Sequence, residues 1–357
     1  MPRRTAAMLT STLLLIALLC VGMLMPVPYA EMSPGPTVNT LSENDGRPVL
    51  QISGHKTYPT TGNLNMTTVR VTGSDYSMNL LEAISGWLSS DDQVVPKAIL
   101  YPSGQTAQQV DQENAEEFTQ SQDSAKAAAI KELGYQVGMQ VVVGTVIKGA
   151  PAEGRLHAGD VIKAVDGTAV GRPEDVAKLV TKHKPGQDVL FAIVPVGDAN
   201  KPGAPVRQVT IKTVKAQDST GKARVGIQAE AAHQFPFTVN VQLADVGGPS
   251  AGLMFSLGII DKLTPTDLTG GKFVAGTGTI DDNGNVGPIG GIALKIIAAR
   301  NAGAQYFLTP QNNCGAAAKN TPSGLKLVKV SNLKEALGAL ADIREGKTAD
   351  LPSCPAG

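Results

Sequence analysis

At 357 residues the chain is long enough for two or three domains with a sizeable core. Lys plus Arg and Asp plus Glu balance at 31 each, and no long basic run stands out, which argues against nucleic acid as a partner. Neither charge nor composition points to disorder.

The first thirty residues place Arg3 and Arg4 ahead of an uncharged run from Met8 to Met25. As a helix this run reaches about 27 Å, close to the thickness of a bilayer's hydrocarbon core. It is longer than the apolar stretch of a usual signal peptide, and Pro28-Tyr29-Ala30 is a poor cleavage site. An uncleaved anchor over residues 1–30 is therefore favoured over a cleaved signal. Cys20 is not preceded by the small residue of a lipoprotein site. With the arginines retained in the cytoplasm, the rest of the chain lies outside the cell membrane. "SPGPT" at 33–37 then reads as a stiff exit. "VLQIS" and "NLNMTTVRV" alternate as strands across a turn-rich link. From about Thr106 to Leu133 the composition turns to Gln, Glu, Ala and Lys with sparse apolar positions, a long and partly exposed helix stopped by Gly134.

A strand from Gln140 to Ile147 follows, then a Gly/Pro turn, a strand around Val161 to Val165, the Asp166-Gly167 turn, a helix opening at Pro173 and a strand at Val189 to Val194. In this order and in "HAGDVIKAVDGTAV", residues 125–215 resemble a PDZ domain, β-rich with one or two helices. The resemblance implies capture of an extended C-terminus beside a helix, with backbone hydrogen bonds giving affinity and pockets giving selectivity. The carboxylate loop would fall at Val137, Gly138 and Met139, although "YQVGM" departs from the usual G-L-G-F form. A PDZ fold used only as a spacer stays open.

The stretch "DVGGPSAGLMFSLGII" holds Ser250 inside G-x-S-x-G. An α/β-hydrolase would need its histidine after the serine, whereas His55, His157, His183 and His233 all precede it. A serine can also be activated by a neutral lysine. The residues after Ser250 read as a helix, so the serine stands where unpaired N–H groups suit an oxyanion, or where it merely caps. In "GPIGGIALKIIAARNAGA" a helix would give Lys295 the small apolar neighbours Gly291, Ile292, Ala298 and Ala299. Burial there would lower its pKa, while the alternative is a lysine reaching out to solvent.

Together, G-P-S-A-G and P-I-G-G-x-x-x-K make residues 217–345 resemble the proteolytic domain of Lon proteases, an α/β (α+β) fold. The resemblance implies Ser250 as nucleophile, Lys295 as general base and Thr277 as a residue that helps orient the lysine. Where the family often carries an aspartate three residues before the serine, this chain has Gly247, and Asp245 is out of register. No G-x-x-x-x-G-K-[ST] occurs, so no ATPase motor and no cofactor are expected. An anchor, a PDZ domain and this catalytic domain look like the PDZ-containing, ATP-independent Lon-like serine proteases of bacteria, the YlbL-type group. Polypeptide substrates are implied, with a homo-oligomer left open. The rivals are a non-catalytic PDZ scaffold and an envelope amidase.

Two further expectations concern organisation. Lon-type domains begin with a hairpin well upstream of the serine that carries G-x-L-x-L-T, and "GNLNMTT" supplies it here. Residues 49–75, within the 31–124 stretch, would then join the catalytic domain across the inserted PDZ segment, the alternative being a small separate β-domain. Cys314 and Cys354 form an even pair, either bridged or free, before or within the 346–357 tail; no metal site is expected from them.

Overall fold

The computed structural model describes residues 3–101, 104–199, 203–216, 221–244 and 246–355. In chain order the principal elements are α1 (Arg3–Leu24), β1 (Tyr29–Asn39), β2 (Asn63–Val71), α2 (Leu80–Leu88), β3 (Gln93–Pro96) and α3 (Ala107–Glu132). Then come β4 (Gly138–Val146), β5 (Val161–Val165), α4 (Pro173–Val180), β6 (Asp188–Val194), β7 (Arg207–Lys212) and β8 (Ile227–Gln234). The last are α5 (Gly252–Leu263), β9 (Phe273–Gly276), α6 (Ile292–Asn301), β10 (Tyr306–Pro310), β11 (Lys326–Val330) and α7 (Leu333–Glu345).

The chain divides into two compact units. One holds residues 1–50, 58–128 and 241–357, the other 51–57 and 129–240. The first unit is therefore discontinuous in sequence.

Its sheet runs β11-β10-β9-β2-β1-β3. β9 pairs in parallel with both β2 and β10, and β1 pairs antiparallel with β2 and β3. β2 thus joins the upstream strands to the C-terminal half: Leu64 pairs with Val274 and Met66 with Gly276. Residues 64 to 67 are buried without alternation, the mark of a strand covered on both faces. Helix α5 buries every residue except Lys262, as an all-round apolar sequence should when it runs through a core. A second cluster forms where Ile292, Ile296 and Ala299 of α6 meet Ala275, Phe307 and Leu327 of the sheet. Cys314 and Cys354 are disulfide-bonded.

Two local readings change. "SPGPT" is not an exit linker but the middle of β1, with a register shift between Pro34 and Thr37. Proline lacks an N–H to donate, and such residues are tolerated in a sheet where a bulge breaks the ladder. "VLQIS" does not partner "NLNMTTVRV"; its strand pairs with Thr238–Val241, and β1 takes the expected place beside β2.

The second unit has the antiparallel order β7-β6-β5-β4-β8. Val141, Val143, Ile162, Val165, Val189, Phe191 and Ile211 interlock with Val176 and Val180 of α4. The expected end at 215 falls short. β8 pairs with β4 from Ile227 to Gln234, so this unit reaches Asn240.

Candidate active site

Ser250 lies two residues before α5, at the end of a Gly-Gly-Pro turn. Its carbonyl is held by the N–H of Gly278 at 2.9 Å and the hydroxyl of Thr277 at 3.0 Å. α6 begins with Gly291 in the left-handed region at φ +67°, where an added Cβ would stand 2.8 Å from Cγ2 of Val69. Glycine is the residue that meets both demands. From that start Lys295 projects from the first turn and a half of the helix, and its Nζ lies 2.7 Å from Ser250 Oγ and 3.1 Å from Thr277 Oγ1.

Lys295 is only 4% exposed and no carboxylate pairs with it among the described contacts. Burial alone pushes its amine down from the ordinary 10.5 to about 8, because the charged form loses water without gaining a counter-charge. Ile292, Ala298 and Ala299, its helical neighbours, are buried with it, and Thr277 is fully buried. The arrangement is a hydroxyl, an amine poised to be neutral, and a second hydroxyl that fixes the amine. Chemically it can generate an alkoxide-like nucleophile near neutral pH.

A cavity of about 650 Å³ opens over Ser250, lined by Met32, Met66, Val69, Val71, Val246 and Arg70 among others. It is large enough for several residues of an extended peptide, and its walls mix apolar side chains with Thr68, Arg70, Ser250 and Lys295.

Helix α3 supplies contacts that the sequence did not announce. Ser121 Oγ donates to the carbonyl of Pro249 at 2.8 Å, and Gly248 N–H donates to the carbonyl of Asn114 at 2.9 Å. An added Cβ on Gly247 would come within 2.9 Å of Asn114 Cβ. The place where Lon domains often carry an aspartate is therefore closed to a side chain here by α3. Asp245, the nearby acid, lies outside the described residues. Asn114 and Ser121 sit in a stretch of Gln, Glu, Ser and Ala that carries no motif. Their role comes from helix packing alone.

In the second unit a groove of about 430 Å³ lies between α4 and residues 223–229. Pro173, Val176, Ala177, Val180 and Thr181 line one wall; Val225, Gly226, Ile227 and Ala229 line the other. Val137, Gly138 and Met139, where the resemblance placed the carboxylate loop, lie away from this groove. Gly138 and Met139 pair with Gln234 and His233 at the far end of β8, and none of the three lines the groove. The wall opposite the helix is a strand that follows the helix in sequence. The segment entering that strand is "RVGI" (224–227).

Residues 209–341 match the family model of the Lon protease (S16) C-terminal proteolytic domain, and residues 108–197 match the PDZ domain model. Among curated proteins the chain is similar to Lon protease 2 of Bacillus subtilis, 38% identical over 94 residues, covering 26% of this chain and 16% of that protein. It is also similar to the Lon protease of Rhizobium meliloti, 34% identical over 113 residues, covering 30% of this chain and 14% of that one. The matched segment thus spans less than a fifth of either relative. Among solved structures, the PDZ domain of the SdrC-like protein from Listeria innocua is 30% identical, covering 25% of this chain and 90% of that one at a TM-score of 0.21. The chain thus combines a segment similar to the Lon proteolytic domain with a segment similar to a PDZ domain.

Proposed function

We propose that the protein is an ATP-independent serine endopeptidase, anchored in the cell membrane by α1, that degrades unfolded or exposed segments of extracytoplasmic or membrane proteins. The observation that carries this reading is the 2.7 Å approach of a buried Lys295 amine to Ser250 Oγ beside a cavity of about 650 Å³. Neutral Lys295 takes the hydroxyl proton as Ser250 attacks the peptide carbonyl, and later returns a proton to the leaving amine. N–H groups at the start of α5 stabilise the oxyanion. Thr277, donating to the carbonyl of Ser250 and accepting from Lys295, keeps the amine aimed at the serine. Acting without ATP, the protein takes chains that are already disordered, damaged or frayed. The groove beside α4 holds their C-termini. The anchor is supported by the 22-residue apolar helix α1, which is solvent-exposed throughout its apolar window.

The test is digestion of an unfolded protein, without ATP, by the soluble ectodomain and by its Ser250→Ala and Lys295→Ala forms. Each single variant should lose turnover while remaining folded, and the double variant should be scarcely worse, because the pair acts as a unit. Full activity in folded Lys295→Ala would overturn the dyad. A folded wild type with no activity on any unfolded protein or peptide would favour a scaffold.

A further inference from the structure

Among the described residues, helix α2 leaves an apolar face largely exposed. At 100° per residue, Leu81, Ile84 and Leu88 fall within an arc of about 60°, opposite the buried Ala83 and Gly86. Leu81 is 51% exposed, Ile84 37% and Leu88 82%, and Trp87 flanks them at 51%. Ser85 borders this face, and the other polar groups of the helix are engaged at its start. Asn79 and Glu82 form a reciprocal capping box, and Glu82 also accepts from the hydroxyl of Tyr76. Single exposed apolar residues need no explanation, but four on one nine-residue helix mark an interaction surface.

What covers that surface follows from where the helix is tied. Leu80 N–H donates to the carbonyl of Met25 at 3.1 Å, Val27 N–H donates to the carbonyl of Met78 at 2.8 Å, and Pro26 bridges Asn79. α2 therefore starts beside the residue that follows α1, the membrane-spanning helix of the proposed function, on which this inference rests. Nine residues make a helix about 14 Å long, so no part of α2 lies farther than that from the end of the span. The headgroup layer there is itself about 5–8 Å deep. Trp87 meets Tyr29 edge to face with ring centroids 5.2 Å apart, and its Nε1 donates to the carbonyl of Val94. Two amphipathic rings at this level match the aromatic belt of a membrane interface. Glu82 is the charged residue within α2 and accepts in the cap, while Asp91 and Asp92 follow the helix, so nothing here favours an anionic over a neutral lipid.

We propose that α2 is an interfacial helix, lying in the outer headgroup–acyl boundary with Leu81, Ile84 and Leu88 in the lipid and Trp87 at its edge. The catalytic unit is thereby held against the membrane surface by a second contact, not swung on a single anchor. Its substrates would then be segments that emerge close to the bilayer.

Trp87 is the one tryptophan of the chain, so intrinsic fluorescence reads this helix directly. The full chain is reconstituted in neutral phosphatidylcholine vesicles and checked by flotation. Lipids brominated high on the acyl chain should quench Trp87 strongly, and aqueous iodide should not. In the triple variant Leu81→Ser, Ile84→Ser and Leu88→Ser, the chain should still float and still cleave peptide, while Trp87 becomes open to iodide. A floating wild type whose Trp87 is quenched by iodide and not by bromolipid overturns the interfacial helix and leaves the anchor standing. Shielding from both quenchers means that protein, such as a second copy, covers the face, and also overturns it. A chain that does not float overturns the anchor and this inference together.

Discussion

Replacing Lys295 by methionine should abolish activity yet stabilise the catalytic unit at neutral pH. Methionine is close in length, carries no charge, and fits a site with apolar neighbours. In the folded protein the Lys295 amine sits at about 8 against an ordinary 10.5. The unfolded chain therefore holds its proton more tightly, and between those two values stability rises with pH. Below pH 8 the penalty for keeping a buried ammonium is fully present, about 3 kcal/mol at pH 7, and most of it is relieved by pH 10. Against this, methionine loses the contacts at 2.7 Å to Ser250 and 3.1 Å to Thr277. Those are worth about 1 kcal/mol each. The variant should thus be more stable than wild type by about 1 kcal/mol at pH 7 and less stable at pH 10, a swing of about 2.5 kcal/mol. Urea unfolding of the ectodomain, followed through Trp87 in the same unit, measures the difference at each pH. A difference that does not change with pH would refute the argument from burial. In the wild type, kcat/KM should climb with pH around a midpoint near 8; at pH 7 about a tenth of the enzyme then holds the neutral amine. A midpoint at the ordinary 10.5 would refute it as well.

Other expectations are independent of that titration. Ser121→Ala removes the hydrogen bond to the Pro249 carbonyl and should lower kcat by roughly tenfold, about the worth of one such bond, with KM little changed. Equal kcat in the variant would mean that α3 does not position the loop. Val180→Asp, in the groove beside α4, should impair cleavage of proteins with a free apolar C-terminus and spare a short peptide, whereas Met139→Ala should leave both unchanged; the two substrates assayed side by side decide it. Opening the Cys314–Cys354 bridge by Cys354→Ser frees a 40-residue loop and should cost about 4 kcal/mol in the chain-entropy account, measurable as a lower urea midpoint. Asp261 is buried at the end of α5 and pushed up to about 6, so its contribution to stability is full below the ordinary 3.8 and is lost as pH rises through 6. Relative to Asp261→Asn, the wild type should therefore weaken between pH 4 and pH 7, and a constant difference would contradict this.

By itself the sequence determined what is encoded in short range. The apolar run of α1, the PDZ order of strand, turn and helix, and the two motifs around Ser250 and Lys295 are each a few residues whose spacing carries the chemistry. The apolar neighbours of Lys295 at three and four residues' distance are a property of helix geometry, but they left a buried and a solvent-reaching amine both open, and the tertiary structure buries it. The G-x-L-x-L-T pattern pointed to β2, and Leu64 and Met66 do pair with β9 in the sheet of Ser250's unit.

Only the tertiary structure decided which distant segments meet. Nothing in "SPGPT" announces a strand, since proline disfavours pairing; β1 continues there because β2 supplies the ladder and a register shift absorbs the prolines, after β3 and β2 have paired with its first residues. Nothing in the Gln- and Glu-rich α3 marks Asn114 or Ser121, which matter because the helix lies against the turn before Ser250. The groove beside α4 is closed by a strand that follows the helix by about fifty residues, so its wall at Val225 to Ala229 lay beyond the expected end of the domain. Local patterns report on a residue's own turn of helix or its neighbours along a strand. Contacts across a sheet or between packed helices depend on the path of the whole chain, and that path is settled by which apolar faces can be buried together.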